Sequence, residues 1–168
     1  LVAGGGPAGL KATSIAARCG YEVILCEKSN ALTGQINLAH FLPGRVEFGG
    51  ITVNLQKELS KTTARLHLNC FVNLDVIENI TPEVVISATG ATPYRAQIDG
   101  ADDAQVVNAS QVLQVQINVG GRVVIADWRC DWVGLGLAEL LVKQGRHVRL
   151  AVNGMVAGQN IPQYARDT

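Results

Sequence analysis

The chain has 168 residues, of which 48% are hydrophobic and 17% charged. That is the composition of a core-forming globular chain, not of a disordered one. The formal net charge is 0, which gives no electrostatic footprint for nucleic acid. The longest apolar run, Val133 to Val142, contains Glu139 and falls short of a membrane span. No charged n-region opens the chain, so no signal peptide is expected. The four cysteines, Cys19, Cys26, Cys70 and Cys130, form no C-x-x-C, so neither metal nor iron–sulfur ligation is expected within this chain. Cys26 and Cys70 read as buried strand thiols, and a reducing, cytoplasmic compartment follows. The sequons at Asn79 and Asn108 are discounted for the same reason.

The chain opens on a short apolar strand, Leu1-Val2-Ala3, followed by Gly4, Gly6 and Gly9 at G-x-G-x-x-G spacing. Gly4 permits the tight turn into a helix, Gly6 lets a pyrophosphate approach the backbone, and Gly9 lets the helix lie close on the sheet. Pro7 and Ala8 stand in the first helical turn, where the missing N–H of Pro7 costs nothing. Helix-start N–H groups and the positive end of the dipole then face the phosphates. The helix continues through Arg18, and Gly20 is placed to stop it in a left-handed conformation. A second strand, Glu22 to Glu27, ends in an acid about 20 residues beyond the glycines, where such a residue accepts hydrogen bonds from an adenosine ribose. Lys28 lies either over the adenosine or in solvent.

A turn-rich segment, Lys28 to Asn37, comes next. Phe48, Ile51, Leu55 and Leu59 repeat at helical spacing and predict a helix over 47–64. Strands are expected at 66–72 and 83–88, the second running into Thr89-Gly90-Ala91-Thr92-Pro93. A loop over 93–100, a short strand over 106–108 and a helix over 109–114 capped by Asn108 follow. Gly120-Gly121 marks a boundary placed near Asn118. A second βαβ unit then reads as strand 123–126, helix 135–144 ended by Gly145, and strand 147–152. Its turn is Asp127-Trp128-Arg129-Cys130-Asp131-Trp132-Val133-Gly134. Carboxylates and indoles occupy the positions where bare backbone would meet a pyrophosphate, and Val152-Asn153 offers no acid to a ribose. Standard NAD(P)H binding is therefore not expected there. His40, His67 and His147 are scattered, and no catalytic constellation can be named.

The fold expected is α/β: a Rossmann-like, three-layer dinucleotide-binding domain over 1–118, then the start of a second nucleotide-binding fold over 119–168. Three residues before Gly4 and an abrupt end after Thr168 predict a fragment of a longer polypeptide.

Three segments carry a resemblance: Gly4 to Gly9, Glu27-Lys28-Ser29 through Gly34-Gln35, and Ala88-Thr89-Gly90-Ala91-Thr92-Pro93. They resemble the C-terminal half of the 2,4-dienoyl-CoA reductase and trimethylamine dehydrogenase family of NADH:flavin oxidoreductases, with Thr33 in place of the first glycine of a pair. Pro43-Gly44-Arg45 is also similar, and Arg45 is either a phosphate or partner contact or a solvated loop arginine. The resemblance implies that Gly34 and Gln35 approach the cofactor and that Ala88, Thr89 and Gly90 pass it at van der Waals distance. It implies that Val72, at a strand end, contacts adenine through the backbone. FAD, or ADP in its place, is the ligand implied for this chain. FMN and a 4Fe-4S cluster are implied for the parent, in an N-terminal barrel of the same polypeptide that takes a small-molecule substrate, and a homo-oligomer is compatible with this. The altered second turn favours an amine dehydrogenase or N-demethylase over an NADPH-dependent enoate or dienoyl-CoA reductase. A structural module holding ADP is the reading from another class.

Overall fold

In a computed structural model, residues 1–95, 97 and 99–162 are described. Ala96, Ile98 and Gln163–Thr168 lie outside the described residues, and with them part of the loop expected over 93–100 and the last stretch of the chain. Two compact units are present: Leu1–His40 with Val46–Thr92, and Phe41–Arg45 with the described residues from Pro93 onward.

The first unit begins with β1 (Val2–Ala3), both residues buried. Helix α1 (Pro7–Arg18) has Gly6 as N-cap and Pro7 in its first turn. It ends as its glycine predicts. Gly20 takes φ +91 and donates its N–H to Ala17 O, while Tyr21 N–H reaches Ala16 O, the paired bonds of a Schellman stop. Strand β2 (Ile24–Cys26) follows, then the short α2 (Ile36–Ala39) and the longer α3 (Phe48–Ser60). Strand β3 (Arg65–His67), α4 (Leu74–Ile80) and β4 (Ile86–Ser87) complete it. All strand pairs are parallel, in the order β3-β2-β1-β4. The chain moves outward from β1 through β2 to β3 and then returns to the other side of β1. That reversal is the switch point at whose strand ends ligands bind in open α/β sheets. The core joins Val2, Leu10, Val23, Leu25 and Leu59, with Leu32 and Leu55 packed against it. Each such side chain contributes about 1.5–3 kcal/mol on full burial.

The second unit carries α5 (Ala109–Leu113), β5 (Arg122–Asp127), α6 (Trp132–Lys143) and β6 (His147–Val152). The two strands pair in parallel over six residues, from Arg122 with His147 to Asp127 with Val152. Gly145, at φ +82, stops α6 with the same two bonds, to Val142 O and Leu141 O.

Several sequence expectations need correction. The third strand ends at His67, not Val72, because Asn69 turns left-handed at φ 53. The fourth pairs only at 86–87, because β1 offers it two residues. No strand forms at 106–108. Val106 N–H instead closes a turn onto Asp103 O at 2.9 Å, and Asn108 caps α5 in a capping box with Gln111. Helix α3 is shorter than 47–64 and leaves Ile51 exposed. Helix α6 starts at Trp132 instead of Leu135, because Asp131 caps it. Helices α2 and α4 were not anticipated. No helix among the described residues is long and apolar enough to cross a membrane.

Candidate functional site

The switch point of the first unit gathers three segments at the carboxyl ends of β1, β2 and β4. Gly4, Gly5 and Gly6 turn the chain from β1 into α1. Gly4 sits at φ +106, and a Cβ there would lie 2.3 Å from Ala88 O. A Cβ on Gly9 would lie 1.9 Å from Gly4 O. Both positions admit only glycine, for packing reasons. Gly6 differs: a Cβ built on it meets nothing within 4 Å. Its glycine character answers no contact within the protein. Gly6 caps α1 without a side-chain bond, and the first turn holds no acid. Helix-start N–H groups with open space before them form an anion-binding turn.

Glu27 follows β2 and is buried. Its Oε2 accepts from Gly5 N at 2.6 Å, and its Oε1 accepts from Ser29 N at 2.8 Å and Ser29 Oγ at 2.7 Å. Burial raises its pKa, but the two bonds from Ser29, the bond from Gly5 and the charge of Lys28 outweigh that, and the carboxyl is held below its ordinary value. Glu27 therefore stays ionised and ties β2 to the glycine turn. Two oxygens offer about four lone-pair sites, so capacity remains for a ribose hydroxyl. Beside it, Cys26 is buried, with Cys70 as a neighbour. Burial and that neighbour push the Cys26 thiol up to about 12, so it stays protonated.

The segment from Leu32 to Asn37 folds over the turn. Thr33 N donates to Gly5 O at 2.7 Å, and a Cβ built on Gly34 would lie 3.6 Å from Gly6 Cα. Gln35 Nε2 donates to Ala91 O at 2.9 Å, bridging to the segment after β4. There Ala88 N donates to Ala3 O at 2.8 Å, and Gly90, exposed at φ +76, has open space around its Cβ direction. Lys28 is exposed and Val72 half-buried beyond β3. The structure thus brings together Gly4, Gly6, Pro7, Ala8, Gly9, Glu27, Gly34, Gln35, Ala88, Thr89 and Gly90. Arg45 belongs to the second unit, where its guanidinium lies 5.3 Å from the Trp132 ring centroid. Thr33 and Asn37 were not singled out from sequence as site residues. A threonine standing for glycine in a turn is the signal that points to them.

The turn of the second unit is closed by its own side chains. Asp127 is buried, and its Oδ1 accepts from Cys130 N at 2.9 Å and Arg129 N at 3.2 Å. Asp131 caps α6, accepting from Val133 N at 2.9 Å, and pairs with Arg129 Nε at 2.8 Å. A carboxylate takes an N–H in both turns, Glu27 that of Gly5 and Asp127 that of Cys130, but only here does a carboxylate also cap the helix start. Trp128 is exposed. Trp132 lies in the first turn of α6. Asp131 was legible as a cap, since it immediately precedes an apolar helical run.

Residues 1–126 match the family described as pyridine nucleotide-disulphide oxidoreductase. The chain belongs to that family. The N,N-dimethylglycine/sarcosine dehydrogenase of Chromohalobacter salexigens is 32% identical over 99% of this chain and 26% of its own length. A probable N-methylproline demethylase of Rhizobium meliloti is 31% identical over 89% of this chain and 22% of its own. Among solved structures, a 2-naphthoyl-CoA reductase complex superposes with a TM-score of 0.92 at 26% identity, over 98% of this chain and 25% of that one. This chain spans about a quarter of the length of these relatives. The relatives are oxidoreductases, and the Rossmann-like α/β expectation and the family resemblance both hold. The residues present fit an adenine dinucleotide: an open glycine cradle, an uncapped helix start and an ionised acid at the end of β2. The chain is a dinucleotide-binding domain of the flavin oxidoreductases.

Proposed function

We propose that residues 1–118 bind FAD, or ADP in its place, and that 119–168 are a partial second βαβ unit that does not bind NAD(P)H. The parent is a cytoplasmic flavoenzyme of the amine dehydrogenase or N-demethylase kind. In it an N-terminal barrel with FMN and a 4Fe-4S cluster acts on a small-molecule substrate, and a homo-oligomer is compatible with this architecture. When bound, the flavin supplies the redox chemistry. The chain's own residues bind and orient it. Backbone N–H groups at Gly6, Ala8 and Gly9 face the pyrophosphate, and Glu27 accepts from the ribose and repels a 2′-phosphate. Gly34 and Gln35 close over the turn. Ala88, Thr89 and Gly90 keep the opposite wall low, and Lys28 and Val72 flank the adenosine. Arg45 contacts a neighbouring part of the parent.

The observation that carries this reading is the second turn, where Asp127 and Asp131 take the N–H groups a nicotinamide dinucleotide would need. Without a nicotinamide site, electrons come from the organic substrate, as the names of the dehydrogenase and demethylase relatives would suggest. Stopped-flow mixing of the oxidised full-length enzyme with NADH, NADPH and methylated amines tests this. Bleaching of the flavin by an amine alone is expected, and rapid bleaching by either nicotinamide overturns it. The close superposition with a CoA-ester reductase favours, as second reading, an NADPH-dependent enoate or dienoyl-CoA reductase. That outcome would support it. A colourless protein that releases ADP on denaturation would instead support a structural ADP module.

A further inference from the structure

Thr33 is fully buried and sits at φ 79, a conformation that β-branched residues rarely adopt and that persists only where surroundings over-determine it. Those surroundings are specific. The Thr33 hydroxyl donates to Asn37 Oδ1, and Asn37 Nδ2 donates to Leu32 O at 2.7 Å. Asn37 thus grips the two residues that rest on Gly5. Leu32 Cδ2 would lie 2.6 Å from a Cβ at Gly5, and Thr33 N–H holds Gly5 O. The other side of the same glycine is held by Glu27. A Cβ built on Gly34, next in the chain, would lie 3.6 Å from Gly6 Cα.

The geometry points to Asn37 as a positioning residue for the nucleotide site. Through Leu32 O and the Thr33 hydroxyl it presets Leu32–Gln35 against the glycine turn, and so raises affinity for the diphosphate of FAD or ADP without touching it. This rests on the function proposed above. Its physical basis is preorganisation. A loop already ordered in its bound form does not lose that freedom when the ligand arrives, and second-layer hydrogen bonds keep contacting groups in place.

The test is equilibrium binding of ADP to the full-length protein freed of nucleotide, for Asn37→Ala, Thr33→Val, their combination and Thr33→Ser. Asn37→Ala removes both bonds of the latch and is expected to raise Kd by about ten-fold, and Thr33→Val removes the bond between the two side chains and is expected to raise it by less. The double variant is expected to match Asn37→Ala, because the bond between the two side chains is already lost in that single variant. Thr33→Ser keeps the hydroxyl and is expected to bind within about two-fold of the parent. A merely structural role would lower thermal stability in all three single variants without this pattern. The inference is overturned by unchanged ADP affinity in Asn37→Ala and Thr33→Val, by additive losses, or by an equal loss in Thr33→Ser. Failure of the unsubstituted protein to bind ADP or FAD would take down the proposed function with it, and so is distinguishable.

Discussion

The two strand-to-helix turns of this chain are built on one plan and finished in opposite ways. Each follows a parallel strand, leads into a twelve-residue helix and ends at a left-handed glycine, Gly20 or Gly145. Each packs a glycine of the helix tightly on the strand end: Gly9 on Gly4, and Gly134 on Asp127, whose carboxylate would lie 2.4 Å from a Cβ at Gly134. The difference is the side chain at the strand end. Gly4 has none, and of the N–H groups beyond it that of Gly5 is taken by Glu27, while the space before Gly6 is open. Asp127 carries a carboxylate that takes two such groups, and Asp131 takes a third. A negative charge at a helix start is worth about 0.3–1 kcal/mol at exposed sites. In the first turn that position is available to a phosphate; in the second the chain supplies its own anion.

The largest effect that would break this comparison is expected at Gly6. Gly6→Val places a side chain where nothing in the protein stands, so the fold should survive while nucleotide binding falls by about 100-fold or more. Gly9→Ala is the contrasting control. Its Cβ collides with Gly4 O, and a stability loss of about 1–3 kcal/mol is expected from overpacking. Calorimetric titration and thermal melts on the full-length protein separate the two. Equal behaviour of the two variants would contradict the assignment of Gly6 to ligand space.

A smaller loss, about 1–3 kcal/mol of nucleotide affinity, is expected for Glu27→Ala, which removes a charge-assisted acceptor. The same residue gives a pH signature. Its folded-state pKa lies below the ordinary value, so its contribution to stability is complete above the unfolded pKa near 4.3 and is lost as pH falls through the folded pKa. Chemical denaturation between neutral and acid pH should show that loss, and Glu27→Gln should flatten it. An unchanged acid slope in Glu27→Gln would mean that other carboxylates carry it.

Much of the first turn was legible because glycines state a backbone requirement directly. Gly4, Gly9 and Gly20 were each read for the conformation or approach the structure contains. The second turn was half legible. Sequence located its aspartates and indoles but read them as loose obstacles, whereas Asp127 and Asp131 are bonded within the turn and Trp128 faces solvent. The partners of Asp127 are local, the N–H groups of Arg129 and Cys130 two and three residues on, a turn habit of aspartate that the sequence reading did not use. Short elements were missed for a different reason. Helix α4 has a good cap in Asn73, but seven residues are too few for a helical period to show. The strand ends were overextended because an apolar run does not reveal how many residues its neighbour offers for pairing.

Two weaker effects sharpen the contrast. Asp131→Ala should cost about 1 kcal/mol of stability through the lost cap, and should still leave NADPH unbound, because Asp127 keeps its two N–H groups. NADPH binding by that variant in equilibrium dialysis would show that Asp131 alone closes the turn. The smallest effect concerns the thiols. Cys26, buried with its pKa pushed up to about 12, should resist alkylation at neutral pH in the folded protein, while exposed Cys19 reacts. Peptide mapping after brief iodoacetamide treatment reads this, and early Cys26 labelling would mean that the end of β2 opens.

The most direct measurement is a count of nucleotide sites on the full-length protein. Released adenine nucleotide is quantified after denaturation, and equilibrium dialysis against NADH and NADPH is run on the native protein and on Gly6→Val. The account predicts one FAD or ADP lost in Gly6→Val, and no nicotinamide dinucleotide bound to either. A nicotinamide dinucleotide bound in both proteins would place a working site at the second turn and contradict it.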